Sequence, residues 1–195
     1  DVCSSDLALP QSATIGTSSP RRAALAQRLR RDLRVVDFRG NVETRLRKLD
    51  EGVADGTLLA LAGLKRLGLT EHATQVLALD DFLPAVAQGA ICIETRASDD
   101  KTRMLLNRID DPDTATAITA ERAFLAALDG SCRTPIAGHA TVEGGRVRFR
   151  GMIVKPDGSE AFETTREGAV GDAEALGADA GAELKRRAGP SFFAM

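Results

Sequence analysis

From Thr14 onward, short apolar segments alternate with helical ones, and this βα rhythm restricts the fold more than any other feature. A strand runs from Thr14 into Gly16, and a helix follows over residues 21–30. A second strand covers residues 34–38 and leads into a helix over 42–51. A third segment, residues 57–62, is nearly all apolar, as a parallel strand covered on both faces should be. Repeated βαβ units specify an open, mostly parallel sheet with helices on both sides. Ligands of such sheets sit at the carboxyl ends of the strands, where the helices begin.

Three basic motifs fall at those ends: Gly16-Thr-Ser-Ser-Pro-Arg-Arg22, Arg39-Gly-Asn-Val-Glu-Thr-Arg45 and Gly63-Leu-Lys-Arg66. In the first, hydroxyls can cap a helix and Pro20 suits its first turn. The free N–H groups and positive dipole end then favour an anion, and Arg21 and Arg22 reinforce them. Asn41 repeats the design as an N-cap, with Arg39 before the helix and Arg45 one turn into it. Each motif alone is also what a capped surface helix shows. Their convergence points to bidentate guanidinium recognition of carboxylate or phosphate.

Downstream, Leu83-Pro-Ala-Val-Ala-Gln-Gly89 reads as a short extended crossing segment, and residues 90–95 as a buried strand holding a structural Cys92. Helices are expected over 100–109 and 114–128, the second capped by Asp113 and ended by Gly130. The pattern then changes to a β-meander. Strands over 136–142 and 146–154 join at Glu143-Gly-Gly145, and a third over 160–166 follows the Pro156-Asp-Gly-Ser159 turn. A last helix covers 172–187. The fold class is thus α/β, with a parallel-sheet part followed by a small α+β domain with an antiparallel sheet.

Composition narrows the partners. Residues 16–66 hold twelve Lys/Arg against six Asp/Glu, on a 195-residue chain whose net charge is -2. A local positive field on an acidic protein suits a small anionic ligand better than a nucleic-acid backbone. Phe38 is the only aromatic in that stretch, which also argues against base stacking. The three cysteines show no CxxC spacing, so neither a disulfide framework nor a metal site is expected. No apolar run reaches membrane-spanning length and no signal-peptide pattern is present, so the cytoplasm is expected.

Cys132 lies in Asp129-Gly-Ser-Cys-Arg-Thr-Pro135, beyond a helix end and beside Arg133. An isolated cysteine is most often a small buried hydrophobe. A neighbouring cation, however, favours the thiolate, the form that attacks carbon electrophiles. His72 and His139 lack ligand spacing and read as surface or structural groups. The pairs Asp80-Asp81, Asp99-Asp100 and Asp110-Asp111 read as helix caps.

Six ordered segments resemble the porphobilinogen deaminases, also called hydroxymethylbilane synthases. They are Ile15-Gly-Thr-Ser-Ser-Pro-Arg-Arg22, Phe38-Arg-Gly-Asn-Val-Glu-Thr-Arg-Leu46, Leu61-Ala-Gly-Leu-Lys-Arg-Leu67, Leu83-Pro-Ala-Val-Ala-Gln-Gly89, Thr119-Ala-Glu-Arg122 and Gly130-Ser-Cys-Arg-Thr-Pro-Ile136. The resemblance implies a transferase that condenses four porphobilinogen molecules head to tail, each losing ammonia, into a linear tetrapyrrole released by hydrolysis. It implies that Cys132 carries dipyrromethane through a thioether, as a primer that is not consumed. Every pyrrole bears an acetate and a propionate, which matches an arginine-lined cleft. By position, Thr17, Ser19, Arg21, Arg22, Arg39 and Arg45 correspond to cofactor and substrate contacts. Arg66 corresponds to a further arginine of that kind, Ala60 to a backbone contact and Gln88 to a hinge contact.

The resemblance also implies three domains, the first two like periplasmic binding proteins. Residues 10–82 would form the second domain, 83–111 the hinge and the returning part of the first, and 112–195 the C-terminal domain. Residues 1–9 fit poorly and read as a disordered or foreign lead-in. The family's amino-terminal part, with its catalytic aspartate, has no counterpart here, so the chain reads as a fragment and no residue takes the catalytic role. Pro20 replaces a larger apolar residue and Ala87 a glycine, while Ser131 and Arg133 depart around the cysteine. A monomer is implied. The alternative is an anion-binding, ligand-sensing module without catalysis, which would need neither Cys132 nor the α+β domain.

Overall fold

The computed structural model describes residues 9–130 and 134–193. Its first part is a parallel sheet in the order β2-β1-β3, with β1 at Thr14–Gly16, β2 at Arg34–Val36 and β3 at Gly56–Thr57. Ile15 is the register residue of both ladders, opposite Val35 on one side and Gly56 on the other. Each strand runs at its carboxyl end into a helix: α1 at Pro20–Leu29, α2 at Val42–Asp50 and α3 at Leu61–Leu67. The caps explain the starts. The Ser19 side chain accepts from the Arg22 N–H with Pro20 in the first turn, and Asn41 Oδ1 accepts from the Thr44 N–H at 2.8 Å. Ala13, Ile15, Ala26 and Leu33 form the core beneath. Position 16, the last of β1, takes a glycine because a Cβ there would lie 2.5 Å from the Phe38 ring, which is fully buried.

The apolar run 57–62 does not extend as one strand. Its partner β1 ends at Gly16, so pairing stops at Thr57, whose hydroxyl donates to the Gly16 carbonyl oxygen at 2.7 Å. With no further ladder to join, the Leu- and Ala-rich sequence turns helical at Leu61. Residues 83–89 are likewise not extended. Gln88 N–H closes a turn onto the Ala85 carbonyl, and Ala87 takes a φ of 58°.

Residues 90–95 form no strand among the described residues, and Ile91 is 93% exposed. Their composition suits a strand, but an unpaired strand leaves its N–H and C=O groups to water. Cys92 is consequently exposed rather than packed. α4 spans only Asp100–Leu106, capped by Asp99, and ends before residues 107–109.

The last part is an antiparallel sheet, β4-β5-β6, under two helices. α5 covers Pro112–Ala127, β4 Ile136–Glu143, β5 Arg146–Val154, β6 Ala161–Ala169 and α6 Ala173–Ala188. Asp111, not Asp113, caps α5, because Pro112 takes the first helical position and the cap is the residue before it. Asp129, with a φ of 50°, turns the chain after α5, ahead of Gly130. β6 outruns the expected 160–166 because its ladder with β5 continues to Arg146↔Ala169. Strand alternation sends Val147, Phe149 and Ile153 inward against Ala120, Phe124 and Leu184, while Arg146 and Arg148 face water. The Phe124 and Phe149 rings meet at 4.9 Å.

Candidate functional site

The first two basic motifs follow the carboxyl ends of β1 and β2, and the third lies within α3 after β3, so the sheet topology places the starts of α1, α2 and α3 at one end of the parallel sheet. Arg21, at the second position of α1, is only 6% exposed. Its Nη1 donates to the Leu83 carbonyl oxygen at 2.7 Å and its Nη2 to Gln88 Oε1 at 3.2 Å. Burial, and then the neighbouring Arg22 charge, pull the Arg21 guanidinium down to about 10. Arg22 donates to the Leu58 carbonyl oxygen at 2.9 Å and is lowered by burial and by the charge of Arg45. Arg45 in turn donates to the Gly40 carbonyl oxygen. Among the described residues no carboxylate pairs with Arg21, Arg22 or Arg45. Arg22 therefore lies within electrostatic reach of both Arg21 and Arg45, and among the described residues the hydrogen-bond partners of all three are neutral.

Two cavities open beside them. One of about 370 Å³ lies between Ser19, Arg21 and Arg22 of the α1 start, Ala85, Val86 and Gln88 of the crossing turn, and Leu125, Thr134 and Ile136. The last three flank the segment containing Cys132, which itself lies outside the described residues. The other is about 480 Å³. It runs past Arg21, Arg22 and Gln88 along residues 56–61 to residues 72–77, and Ala60 lines it.

The remaining sequence candidates are placed differently. Thr17 is buried and its hydroxyl accepts from the Ser19 N–H at 3.2 Å, which shapes the turn into α1. Arg39 is exposed and paired with Asp37 at 2.9 Å. Arg66 is exposed in the last turn of α3 and lines neither cavity. Of the acidic pairs, Asp99 and Asp111 cap helices, and Asp80 instead accepts from Arg150.

Sequence reasoning assigned no role to Glu121. It is 6% exposed on α5, and its carboxylate accepts from the Ala87 N–H at 2.5 Å and the Ala140 N–H at 2.8 Å. It therefore ties the crossing turn to β4, and burial pushes its carboxyl up. Gly138 N–H, donating to the Pro84 carbonyl oxygen at 3.0 Å, makes a second tie. The crossing turn is thus held by the last domain on one side and by Arg21 on the other. A glutamate amid the apolar face of α5 was the available signal.

The start of α1, on a three-stranded parallel sheet, thus lines a cavity together with residues of an antiparallel α+β part, an α/β architecture of two separate sheets. The family model described as porphobilinogen deaminase, dipyromethane cofactor binding domain, matches residues 3–104, and that of the porphobilinogen deaminase C-terminal domain matches residues 115–186. The chain is 60% identical over 187 residues to a porphobilinogen deaminase of Nitrobacter winogradskyi and 59% identical over 187 residues to that of Nitrobacter hamburgensis. Both alignments cover 96% of this chain and 59% of the relative, so the chain spans well under two thirds of their length. The chain belongs to the porphobilinogen deaminase family.

Proposed function

We propose that this chain is the cofactor-carrying part of a transferase that condenses four porphobilinogen molecules into linear hydroxymethylbilane with loss of ammonia. The observation that carries the reading is the cavity in which Ser19, Arg21 and Arg22 face Leu125, Thr134 and Ile136. The cysteine lies between the latter residues in sequence, and the arginines have no carboxylate partner among the described residues. This donor set fits dipyrromethane, whose acetate and propionate side chains would supply the missing carboxylates. When bound through Cys132, that group supplies the primer on which the tetrapyrrole is built.

The chain's own residues hold and orient. Arg21, Arg22 and Arg45 bind carboxylates, with Ser19 setting the helix start that presents them. Thr17 supports that turn, while Ala60 and Gln88 line the cleft walls. Arg39, before α2, and Arg66, in the last turn of α3, are exposed and meet carboxylates of the growing chain. No described residue is assigned the proton-transfer role. Residues 10–82 form the anion-binding domain, 83–111 the hinge and the returning part of a further domain, and 112–195 the cysteine-bearing domain. The enzyme acts as a cytoplasmic monomer. No described helix is long and apolar enough to cross a membrane.

The test is the intact mass of the protein from its complete reading frame, beside a Cys132→Ser variant. Extra mass of two pyrrole units, lost in the variant, is the expected result. A folded wild type that stays unmodified when supplied with porphobilinogen would overturn the reading in favour of an anion-binding module.

A further inference from the structure

The turn joining β5 to β6 has no part in the cavity, yet it is built to touch the helix that carries the arginines. Lys155 N–H donates to the Glu160 carbonyl and Gly158 N–H to the Lys155 carbonyl, both at 2.8 Å. Asp157 Oδ1 accepts from the Ser159 N–H and hydroxyl, and Lys155 pairs with Glu160 at 2.8 Å. This hydrogen-bonded tip presents Gly158, which is buried with a φ of 70°. A Cβ on Gly158 would lie 2.7 Å from the Ala24 carbonyl oxygen, 2.7 Å from Arg28 N and 3.0 Å from the Gln27 carbonyl carbon. All three are backbone atoms of α1, which cannot move aside as a side chain could.

The contact continues on both sides of the glycine. Ala24 and Leu25 of α1 pack with Val154 of β5, joined by Phe82, Met152 and Ala161. Arg31, just past α1, donates to the Ser159 carbonyl oxygen at 3.1 Å. Arg150 reaches from β5 to the Asp80 carbonyl oxygen at 2.9 Å. A helix of this length is about 15 Å long and moves as one piece. A shift at residues 24–28 is therefore carried to Ser19, Arg21 and Arg22 at its start.

We propose that Gly158 is a positioning residue, which seats the backbone of α1 on the C-terminal domain and so sets the spacing of Ser19, Arg21 and Arg22 from the Thr134 and Ile136 wall. The inference rests on the functional reading above and adds a residue from outside the cleft. Without a side chain at Gly158 the two walls approach to the spacing seen; any side chain holds them apart.

Gly144 provides the control. Its φ of 56° imposes the same kind of backbone strain on a side chain, but nothing lies within 4 Å of its Cβ position. Gly158→Ala and Gly144→Ala are to be made in the complete protein and compared at a temperature where both are fully folded. Gly158→Ala is expected to lose about tenfold or more in kcat/KM for porphobilinogen, since small misplacements of binding groups are costly. It should also show faster hydrogen exchange in residues 23–29, while Gly144→Ala stays near wild type in both. Equal behaviour of the two variants overturns the proposal. Should Gly158→Ala not accumulate as folded protein, Val154→Ala loosens the same joint without a clash. An unchanged kcat/KM and unchanged exchange in residues 23–29 in that variant overturns the proposal too. A wild type that neither loads cofactor nor consumes porphobilinogen refutes the functional reading instead, and the exchange comparison then decides the positioning role by itself.

Discussion

The Arg21 guanidinium donates to the carbonyl oxygen of Leu83 at 2.7 Å, across 62 positions of chain. A residue that sequence alone marks as a ligand contact is thus also a brace between α1 and the crossing turn. Replacing it with Met keeps the length and removes the donor, leaving a buried carbonyl unsatisfied. The expected loss is about 1–3 kcal/mol of unfolding free energy by urea titration. An Arg21→Met protein as stable as wild type would show that the brace carries no weight.

Ala87 occupies the left-handed region at a φ of 58° while its N–H donates to Glu121. A Cβ is strained there, and glycine is not. Ala87→Gly is expected to raise stability by about 1 kcal/mol, the relief of strain outweighing the freer unfolded chain. The same urea titration checks it, and a loss of stability would mean that the methyl group packs usefully.

How legible this was depended on the range of the interaction. Ser19 and Asn41 mark their helices because a cap bonds three residues ahead, and Gly144-Gly145 marks its hairpin because the turn needs both positive φ values. Residues 90–95 misled because composition states fitness for a strand but not the presence of a neighbour to pair with. The N-cap of α5 misled by two residues because Pro112 takes the first helical position. The grouping of Arg21, Arg22 and Arg45 was readable from the βα repeat, which sends successive helix starts to one sheet end. The Arg21–Leu83 brace, the Glu121 tie and the Gly158 seat join elements far apart in sequence, and no local pattern announces them.

Two carboxylates give opposite pH slopes. Burial raises Glu121 above the ordinary 4.5, so the folded state binds its proton more tightly than the unfolded state does. Its favourable contribution is complete below 4.5 and is lost as pH rises through the raised value. Glu183 is held down to about 2 by hydrogen bonds from Arg166, Thr164 and Arg187. Its contribution is present above 4.5 and is lost as pH falls toward 2. Urea titrations across acidic and neutral pH should show Glu121→Gln flattening the decline on the rising side and Glu183→Gln flattening the loss on the acid side. Slopes unchanged from wild type in both would contradict these environments.

Arg45 and Arg39 are both basic residues of one motif, but their surroundings separate them. Arg39 is paired with Asp37 and its side chain is 81% exposed, so water and an existing partner already satisfy it. Arg45 is half-buried, lies within electrostatic reach of Arg22 and has no carboxylate partner among the described residues. A ligand carboxylate therefore gains more from Arg45, where a charged hydrogen bond contributes about 1.5–3 kcal/mol. Arg45→Leu in the complete protein should weaken porphobilinogen use, read as kcat/KM, by roughly tenfold to a hundredfold. Arg39→Leu should cost only a few-fold, because a screened surface pair contributes little. Circular dichroism and melting curves confirm that each variant is folded before the kinetics are compared. If Arg39→Leu proves the more damaging of the two, carboxylates enter by the exposed rim and not along the Arg21–Arg22–Arg45 line.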